Sequence, residues 1–322
     1  MRLRLGTRGS ALARAQSGTV CDALAAGLGR PVELRTITTY GDTSAAPLAS
    51  LGGTGVFVNA LREALLAGEV DLVVHSLKDL PTAAPEGLVL AAVPAREDPR
   101  DVLVSAGGRT LGELGSGARV GTGSPRRAAQ LRALGLGLRV LAVRGNVDTR
   151  LRMVSEAELD AVVLARAGLA RLDRLGEVSE VLDPLLMLPA PGQGALAVEC
   201  RAEDVELAAR LSALLEDRAS RLAVTAERAL LATLEAGCSA PVGALAVLAE
   251  PDPADGAPGG AGEIYLRAVA VTPDGTQHVR RSATARVDSL DDARVLGEKL
   301  AHQMIDDGAG DLLAALHRER VP

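Results

Sequence analysis

Lys78 and Asp79 stand side by side in Val73-Val74-His75-Ser76-Leu77-Lys78-Asp79-Leu80-Pro81. A carboxylate presented there could steady a positive charge developing on a substrate, with the lysine as a counter-charge. The apolar run Val70 to Val74 predicts a short buried strand, closed by Pro81. Open α/β sheets bind ligands beyond the carboxyl ends of their strands, so the pair is expected at the mouth of a sheet. The lysine is itself uncommon, since Lys78 and Lys299 are the only two in the chain. Taken locally, a solvated ion pair is an equal reading.

Three further turns combine a helix cap with a cation. In Thr7-Arg8-Gly9-Ser10, Ser10 is placed to cap a helix. In Val120-Gly121-Thr122-Gly123-Ser124-Pro125-Arg126-Arg127, Ser124 caps, Pro125 takes the first helical position and both arginines fall in the first turn. Cations oppose the helix dipole there, which makes sense if an anion lies between them and the free backbone N–H groups. In Arg144-Gly145-Asn146-Val147-Asp148-Thr149-Arg150, Asn146 caps and Arg144 and Arg150 flank the turn. One such turn reads as surface chemistry, whereas three at strand ends read as an anion-binding cleft. Guanidinium forks suit carboxylates at least as well as phosphates. No dinucleotide or Walker pattern is present.

Cys238, in Glu235-Ala236-Gly237-Cys238-Ser239-Ala240-Pro241, follows a helix and sits in a Gly/Pro-bordered loop, open to reaction or to covalent attachment of a group. Cys21 and Cys200 are expected to be inert packing residues. Three widely spaced cysteines with no CxxC or Cys/His spacing predict free thiols and no metal. His75 reads as a core histidine. Asp98 and Asp101, around Pro99-Arg100, read as hinge turns, and Gly52 to Phe57 as a mobile loop or a tight connection.

The elements that must position these residues follow from pattern. From Leu3 to about Asp183, apolar runs alternate with helical segments, predicting βα units and mostly parallel sheets. Pro94 to Arg100 and Leu188 to Gly194 read as crossings between two lobes that could hinge. Beyond about Arg218 a helix over Ala219–Glu235, capped at Gly237, precedes Cys238. Pro251 to Gly262 reads as a flexible insertion, and Ile264–Val271 with His278–Ala285 as a hairpin.

The 322 residues, 48% hydrophobic, suffice for two or three aliphatic-cored domains. No Trp, one Phe and two Tyr leave little with which to stack nucleic-acid bases, and a net charge of −6 argues against a general polyanion binder. Neither a signal peptide nor a bilayer-length apolar segment is apparent, so a soluble cytoplasmic protein with no membrane partner is expected.

Together these segments resemble the porphobilinogen deaminase (hydroxymethylbilane synthase) family over nearly the whole chain. The resemblance rests on Gly6 to Ser10, His75 to Pro81, Arg96 to Asp101, Val120 to Thr122, Arg126-Arg127, Leu188 to Ala195 and Gly237-Cys238. It implies an α/β protein with two periplasmic-binding-protein-like lobes of mixed sheets flanked by helices, plus a small C-terminal α+β domain. On this sequence those parts fall at 1–94 with 195–213, 100–188, and 217–322. The resemblance implies a transferase of tetrapyrrole biosynthesis that deaminates four porphobilinogen units and joins them head to tail. The chain grows on a dipyrromethane cofactor held through a thioether to Cys238, and water releases hydroxymethylbilane. Asp79 falls on the catalytic position. Arg8, Ser10, Lys78, Thr122, Ser124, Arg126, Arg127, Arg144, Arg150 and Arg171 fall on positions that contact cofactor or substrate. The family also implies a monomer, while composition and spacing predict no nucleic-acid partner and no metal.

Thr54, Asn59, Gly123, Pro125 and Ala170 depart from the commoner family pattern, which has Lys at the first two, Ser and Leu at the next two, and often a basic residue at the last. Two other classes stay open on the residues alone. One is a non-catalytic two-lobed protein binding small anions, which leaves Cys238 without a role. The other is a phosphate-handling transferase using Gly121–Arg127, which lacks a nucleotide motif.

Overall fold

The computed structural model describes residues 2–29, 31–37, 55–236, 240–249 and 262–318, with the side chains of 55–57 and 314–318 left aside. Thr54, Cys238 and the 251–261 stretch thus lie outside the described residues. In chain order the first elements are β1 (Leu3–Thr7), α1 (Ala11–Leu28), β2 (Val32–Thr36), α2 (Gly55–Leu66), β3 (Leu72–Ser76), β4 (Leu88–Ala92) and β5 (Asp101–Ser105). Next come β6 (Arg119–Thr122), α3 (Pro125–Ala133), β7 (Arg139–Ala142), α4 (Val147–Ser155), β8 (Ala161–Ala165), α5 (Arg166–Arg171) and β9 (Glu180–Val181). Then follow β10 (Leu196–Arg201), α6 (Val205–Leu215), α7 (Arg218–Thr233), β11 (Val242–Ala249), β12 (Gly262–Val271), β13 (His278–Val287), α8 (Leu290–Asp306) and α9 (Ala309–Arg318). The chain divides into two compact units, Met1–Glu97 with Gly194–Arg221, and Asp98–Gln193 with Leu222–Pro322.

The first unit holds a five-stranded sheet in the order β2-β1-β3-β10-β4. β1 runs parallel to β2 and β3, and β10 antiparallel to β3 and β4. Helices cover both faces, which is why β3 is apolar on successive residues rather than alternating. Leu5, Leu24, Leu72, Val198 and Leu211 pack on one face, and Leu61, Leu65, Val70 and Val73 on the other.

The second unit repeats that pattern of directions. Its sheet is ordered β7-β6-β8-β5-β9, with β6 parallel to β7 and β8, and β5 antiparallel to β8 and β9. Both sheets are therefore mixed, which corrects the expectation of mostly parallel pairing. The antiparallel strands β5 and β10 are those that follow the two Pro-rich connections. A strand fed by such a segment is free of the crossover-helix constraint that makes βαβ units parallel.

The same unit carries the antiparallel sheet β11-β12-β13. One face is closed by α7 and α8 through Leu222, Leu230, Ile264, Leu266, Leu296 and Leu300. On the other, Leu245, Val269 and Val271 meet Ala129 and Leu188. The β12–β13 hairpin turns through Gly275 at φ 79°, with Thr272 N–H donating to Gln277 O at 2.9 Å.

Three further boundaries differ from expectation. The strand before Lys78 runs Leu72–Ser76, not Val70–Val74, and Gly55 to Phe57 open α2 rather than a loop. The helix before Cys238 ends at Thr233, with Glu235 in the αL conformation (φ 50°), and the cap expected at Gly237 lies outside the described residues. Ala236 N–H donates to Leu231 O and Glu235 N–H to Ala232 O, the two bonds of a Schellman closure.

Candidate active site

In the first unit β1 and β3 are parallel neighbours, so the turns after them lie at one end of the sheet. After β1, Ser10 Oγ accepts Ala13 N–H at 3.2 Å and caps α1. Thr7 donates to Ala13 O at 3.1 Å and accepts from Ser17 at 2.7 Å, fixing the turn that carries Arg8. After β3 the chain makes a single 3-10 turn, Leu77–Asp79. Leu77 N–H donates to Ala195 O at 3.0 Å, and the Leu77 and Leu80 side chains are buried. With those anchors inward, Lys78 and Asp79 remain half-buried between them. Gln16 on α1 donates to Ser76 Oγ at 2.7 Å, tying the two turns together. The structure thus brings Arg8, Ser10, Lys78 and Asp79 to one end of the sheet.

Behind that end lies a buried ion cluster that the sequence did not reveal. Arg62 grips Glu199 with two hydrogen bonds, at 2.9 and 2.7 Å. His75 Nε2 lies 3.2 Å from the same carboxylate, within ion-pair reach but without hydrogen-bond alignment. Burial pushes the Glu199 carboxyl up, but His75 and Arg62 outweigh it and hold it at about 2. The expectation of a core histidine holds, with a carboxylate as its neighbour.

In the second unit β6, β7 and β8 are parallel, so the segments after them share one sheet end. Ser124 Oγ accepts Arg127 N–H at 3.4 Å, and Ser124 N–H donates to Thr122 Oγ1 at 3.2 Å. Asn146 caps α4 by accepting Thr149 N–H at 2.9 Å. Arg144 is exposed on its turn, and Arg171 is half-buried at the end of α5.

Arg126 and Arg127 occupy the first turn of α3 as expected, but they are only 3% and 5% exposed. The protein supplies an anion of its own between them. Asp101, read from sequence as a hinge-turn residue, opens β5 and is fully buried. Its carboxylate accepts Arg126 Nη2 at 2.8 Å, Arg127 Nε and Nη2 at 3.0 and 2.8 Å, and Gln193 Nε2 at 2.7 Å. Arg126 also donates to Leu188 O, and Arg127 to Val163 O. Burial drives the Asp101 carboxyl up, yet the two guanidinium charges and the hydrogen bonds from Arg127 and Gln193 hold it at about 2.

One carboxylate does not balance this end of the sheet. Arg126 Nε is buried with no hydrogen-bond partner among the described residues. Arg150 lies against Gly123, where an added Cβ would stand 3.2 Å from its Nη2, and donates from Nε to Gly145 O at 3.0 Å. Burial, then the charge of Arg127, lowers the Arg150 guanidinium from its ordinary value. Among the described residues no carboxylate lies within ion-pair distance of it. Two guanidiniums on one acid, with Arg150 feeling the charge of Arg127, leave a positive surplus, which favours an anionic ligand.

Burial pushes the Cys200 thiol up to about 11 and also raises Cys21, as suits unreactive packing residues. No cluster of metal-ligating residues occurs, and no helix is long and apolar enough to cross a membrane, among the described residues.

Residues 3–209 match the family described as porphobilinogen deaminase, dipyromethane cofactor binding domain, and residues 221–306 match the porphobilinogen deaminase C-terminal domain. The chain belongs to the porphobilinogen deaminase family. Porphobilinogen deaminase 1 of Streptomyces coelicolor is 58% identical over 316 residues, 97% of each chain. Porphobilinogen deaminase of Mycobacterium tuberculosis is 57% identical over 311 residues, 97% of this chain and 98% of its own. Among solved structures, a periplasmic substrate-binding protein of an ABC transporter from Coxiella burnetii aligns at 16% identity with a TM-score of 0.43, over 66% of this chain and 91% of its own.

Within this porphobilinogen deaminase family member, sequence reasoning missed the buried acids Asp101, Glu199 and Glu227. The one local signal for Asp101 was an acid directly opening the apolar run Val102-Leu103-Val104.

Proposed function

We propose that this family member deaminates porphobilinogen and joins four units into hydroxymethylbilane, as a transferase of tetrapyrrole biosynthesis. The observation that carries the reading is the surplus of guanidinium over carboxylate at the α3 and α4 turns, within a chain matched by the family over residues 3–209 and 221–306. Each pyrrole of the substrate bears an acetate and a propionate, so the growing product multiplies negative charge. The buried Arg126 Nε and the half-buried Arg150 fit a dipyrromethane with the same carboxylates. When bound, that cofactor supplies the pyrrole carbon to which the first substrate unit is joined.

In this reading lobe 1 (1–94 and 195–213) contributes the aspartate, lobe 2 (100–188) most of the arginines, and the C-terminal domain (217–322) the thiol of Cys238 for a thioether. Arg126, Arg127, Arg144, Arg150 and Arg171, with Thr122 and Ser124, hold carboxylates and fix orientation. Arg8, Ser10 and Lys78 do the same beside Asp79. Loss of ammonia from porphobilinogen leaves a cation, and the Asp79 carboxylate stabilises it through the pyrrole N–H. Water ends the sequence by releasing the product. The protein is taken to act as a cytoplasmic monomer.

Intact-mass measurement tests the tether. The purified chain is expected to exceed its sequence mass by a dipyrrole, and Cys238→Ser to lose that excess. Turnover of porphobilinogen by a chain at bare sequence mass would overturn the tethering role.

A further inference from the structure

Glu227 is a carboxylate with no exposure, and the reaction above does not use it. It lies within α7, the helix that leads into Gly237-Cys238-Ser239. Its Oε2 accepts the N–H of Gly192 at 2.6 Å, and its Oε1 the N–H of Ala246 at 2.8 Å. Ala246 belongs to β11, the strand that leads out of the same loop. Both arms of the cysteine loop are thus joined through one buried acid, and through it to the segment Leu188–Gln193.

That segment is bonded in turn to the arginine turn. Leu188 O accepts from Arg126 Nη1 and from Gln130 Nε2, and Leu188 N–H donates to Gln130 Oε1 at 2.9 Å. Gln193 reaches Asp101, which holds Arg126 and Arg127. Pro189 O accepts Ala244 N–H at 2.9 Å, so β11 is hydrogen-bonded to the segment a second time. The approach is close. A Cβ on Gly243 would stand 2.8 Å from Leu188 Cβ and 2.9 Å from its carbonyl oxygen. A continuous chain of buried polar contacts therefore runs from the flanks of the cysteine loop to the guanidiniums, all within the second unit.

We infer that Glu227 is a positioning residue for the covalent tether. It sets the register of α7 and β11, the elements that flank Cys238 in sequence, against the segment that bonds Arg126, and delivery of the thiol to a bound pyrrole depends on that register. The inference rests on the reading that Cys238 carries the cofactor. In the step concerned, the Cys238 sulfur bonds to the aminomethyl carbon of porphobilinogen as the C–N bond breaks. Ammonia leaves with the thiol proton, so no oxidant or reductant is needed. A second unit then adds with loss of another ammonia. A misplacement of about 1 Å can cost on the order of 100-fold in such a step.

Glu227→Gln tests this, because the amide keeps the shape but turns one acceptor into a donor that opposes a backbone N–H. The full chain is made in a host unable to produce porphobilinogen, porphobilinogen is added, and intact mass is followed in time on the folded fraction. The variant is expected to acquire the two-pyrrole adduct roughly 10- to 100-fold more slowly than the parent. Once loaded, its KM and kcat are expected to lie within about twofold of the parent's, a split that general loss of structure would not produce. Amide exchange at Gly192 and Ala246 is expected to quicken, with the 119–133 stretch unchanged. Loading at the parental rate overturns the inference. If Glu227→Gln does not fold, Glu227→Asp decides instead, since it keeps the charge but retracts it by one methylene. Slow loading of that variant supports the inference, and parental loading overturns it. A parent chain that never gains the adduct, like Cys238→Ser, refutes the tether reading itself, not the role of Glu227 within it.

Discussion

Asp101→Asn isolates the charge that separates Arg126 from Arg127. The substitution preserves shape but removes the charge and turns one acceptor into an NH2 donor that faces the donors of Arg126, Arg127 or Gln193. Removing one partner of a buried ion network costs about 3–5 kcal/mol, because the remaining charges stay desolvated. The pH dependence gives a second handle. Asp101 is fully buried and held at about 2, against an ordinary 3.8, a gap worth roughly 2 to 3 kcal/mol of stability. A depressed carboxyl stabilises the fold above its unfolded value and ceases to do so as pH falls through its folded value. The parent's advantage over Asp101→Asn should therefore be full above about pH 4 and smaller by roughly 2 kcal/mol near pH 2. Because the chain has no Trp, urea unfolding is best followed by far-ultraviolet circular dichroism, supplemented by amide exchange in the 101–105 and 119–133 stretches. Parent and variant within about 1 kcal/mol at pH 7 would refute the reasoning. So would a difference that stays constant down to pH 2, since the ionised form would then not be its source.

Arg62→Met should leave Glu199 buried without its two-pronged partner and cost about 3–5 kcal/mol at pH 7. Glu199 is held at about 2 against an ordinary 4.5, so the parent's stabilisation from this acid is present above about pH 4.5 and lost on acidification toward 2. Thermal melts at pH 7 and 3 check this, and an equal deficit at both would count against it. Gly123→Ala places a Cβ 2.7 Å from Val143 O and 3.2 Å from Arg150 Nη2, displacing that guanidinium. KM for porphobilinogen is expected to rise about tenfold, on the scale of one charged hydrogen bond, and a parental KM would free Arg150 from this role. Asp79→Ala should lower kcat on the order of 100- to 1,000-fold while the adduct mass remains. Near-parental turnover would remove Asp79 from the mechanism.

Caps and turns were legible because their chemistry is local. Ser10, Ser124 with Pro125, and Asn146 each bond within three residues, and a hairpin through Pro273-Asp274-Gly275 needs no distant partner. Boundaries set by distant hydrogen bonds were displaced. The strand before Asp79 ends where it does because Ser76 pairs with Leu196 and Leu77 bonds Ala195, more than a hundred residues away. Glu235 adopts the left-handed closing conformation ahead of the glycine that local propensity favoured.

From the sequence alone came the kinds of residue and their order: an acid after an apolar strand, arginines beside capped turns, a thiol in a Gly/Pro-bordered loop, and the family that combines them. Which charges meet was decided only by the tertiary structure. Asp98-Pro99-Arg100-Asp101 reads locally as a turn, yet Asp101 is the buried counter-charge of two arginines about 25 residues on. Arg62 and Glu199 are 137 residues apart in sequence, and Glu227 takes its hydrogen bonds from two separate segments. The physical reason is that a buried charge is tolerable only beside its partner, and that pairing is created by strand order and helix packing, which no local window of sequence contains.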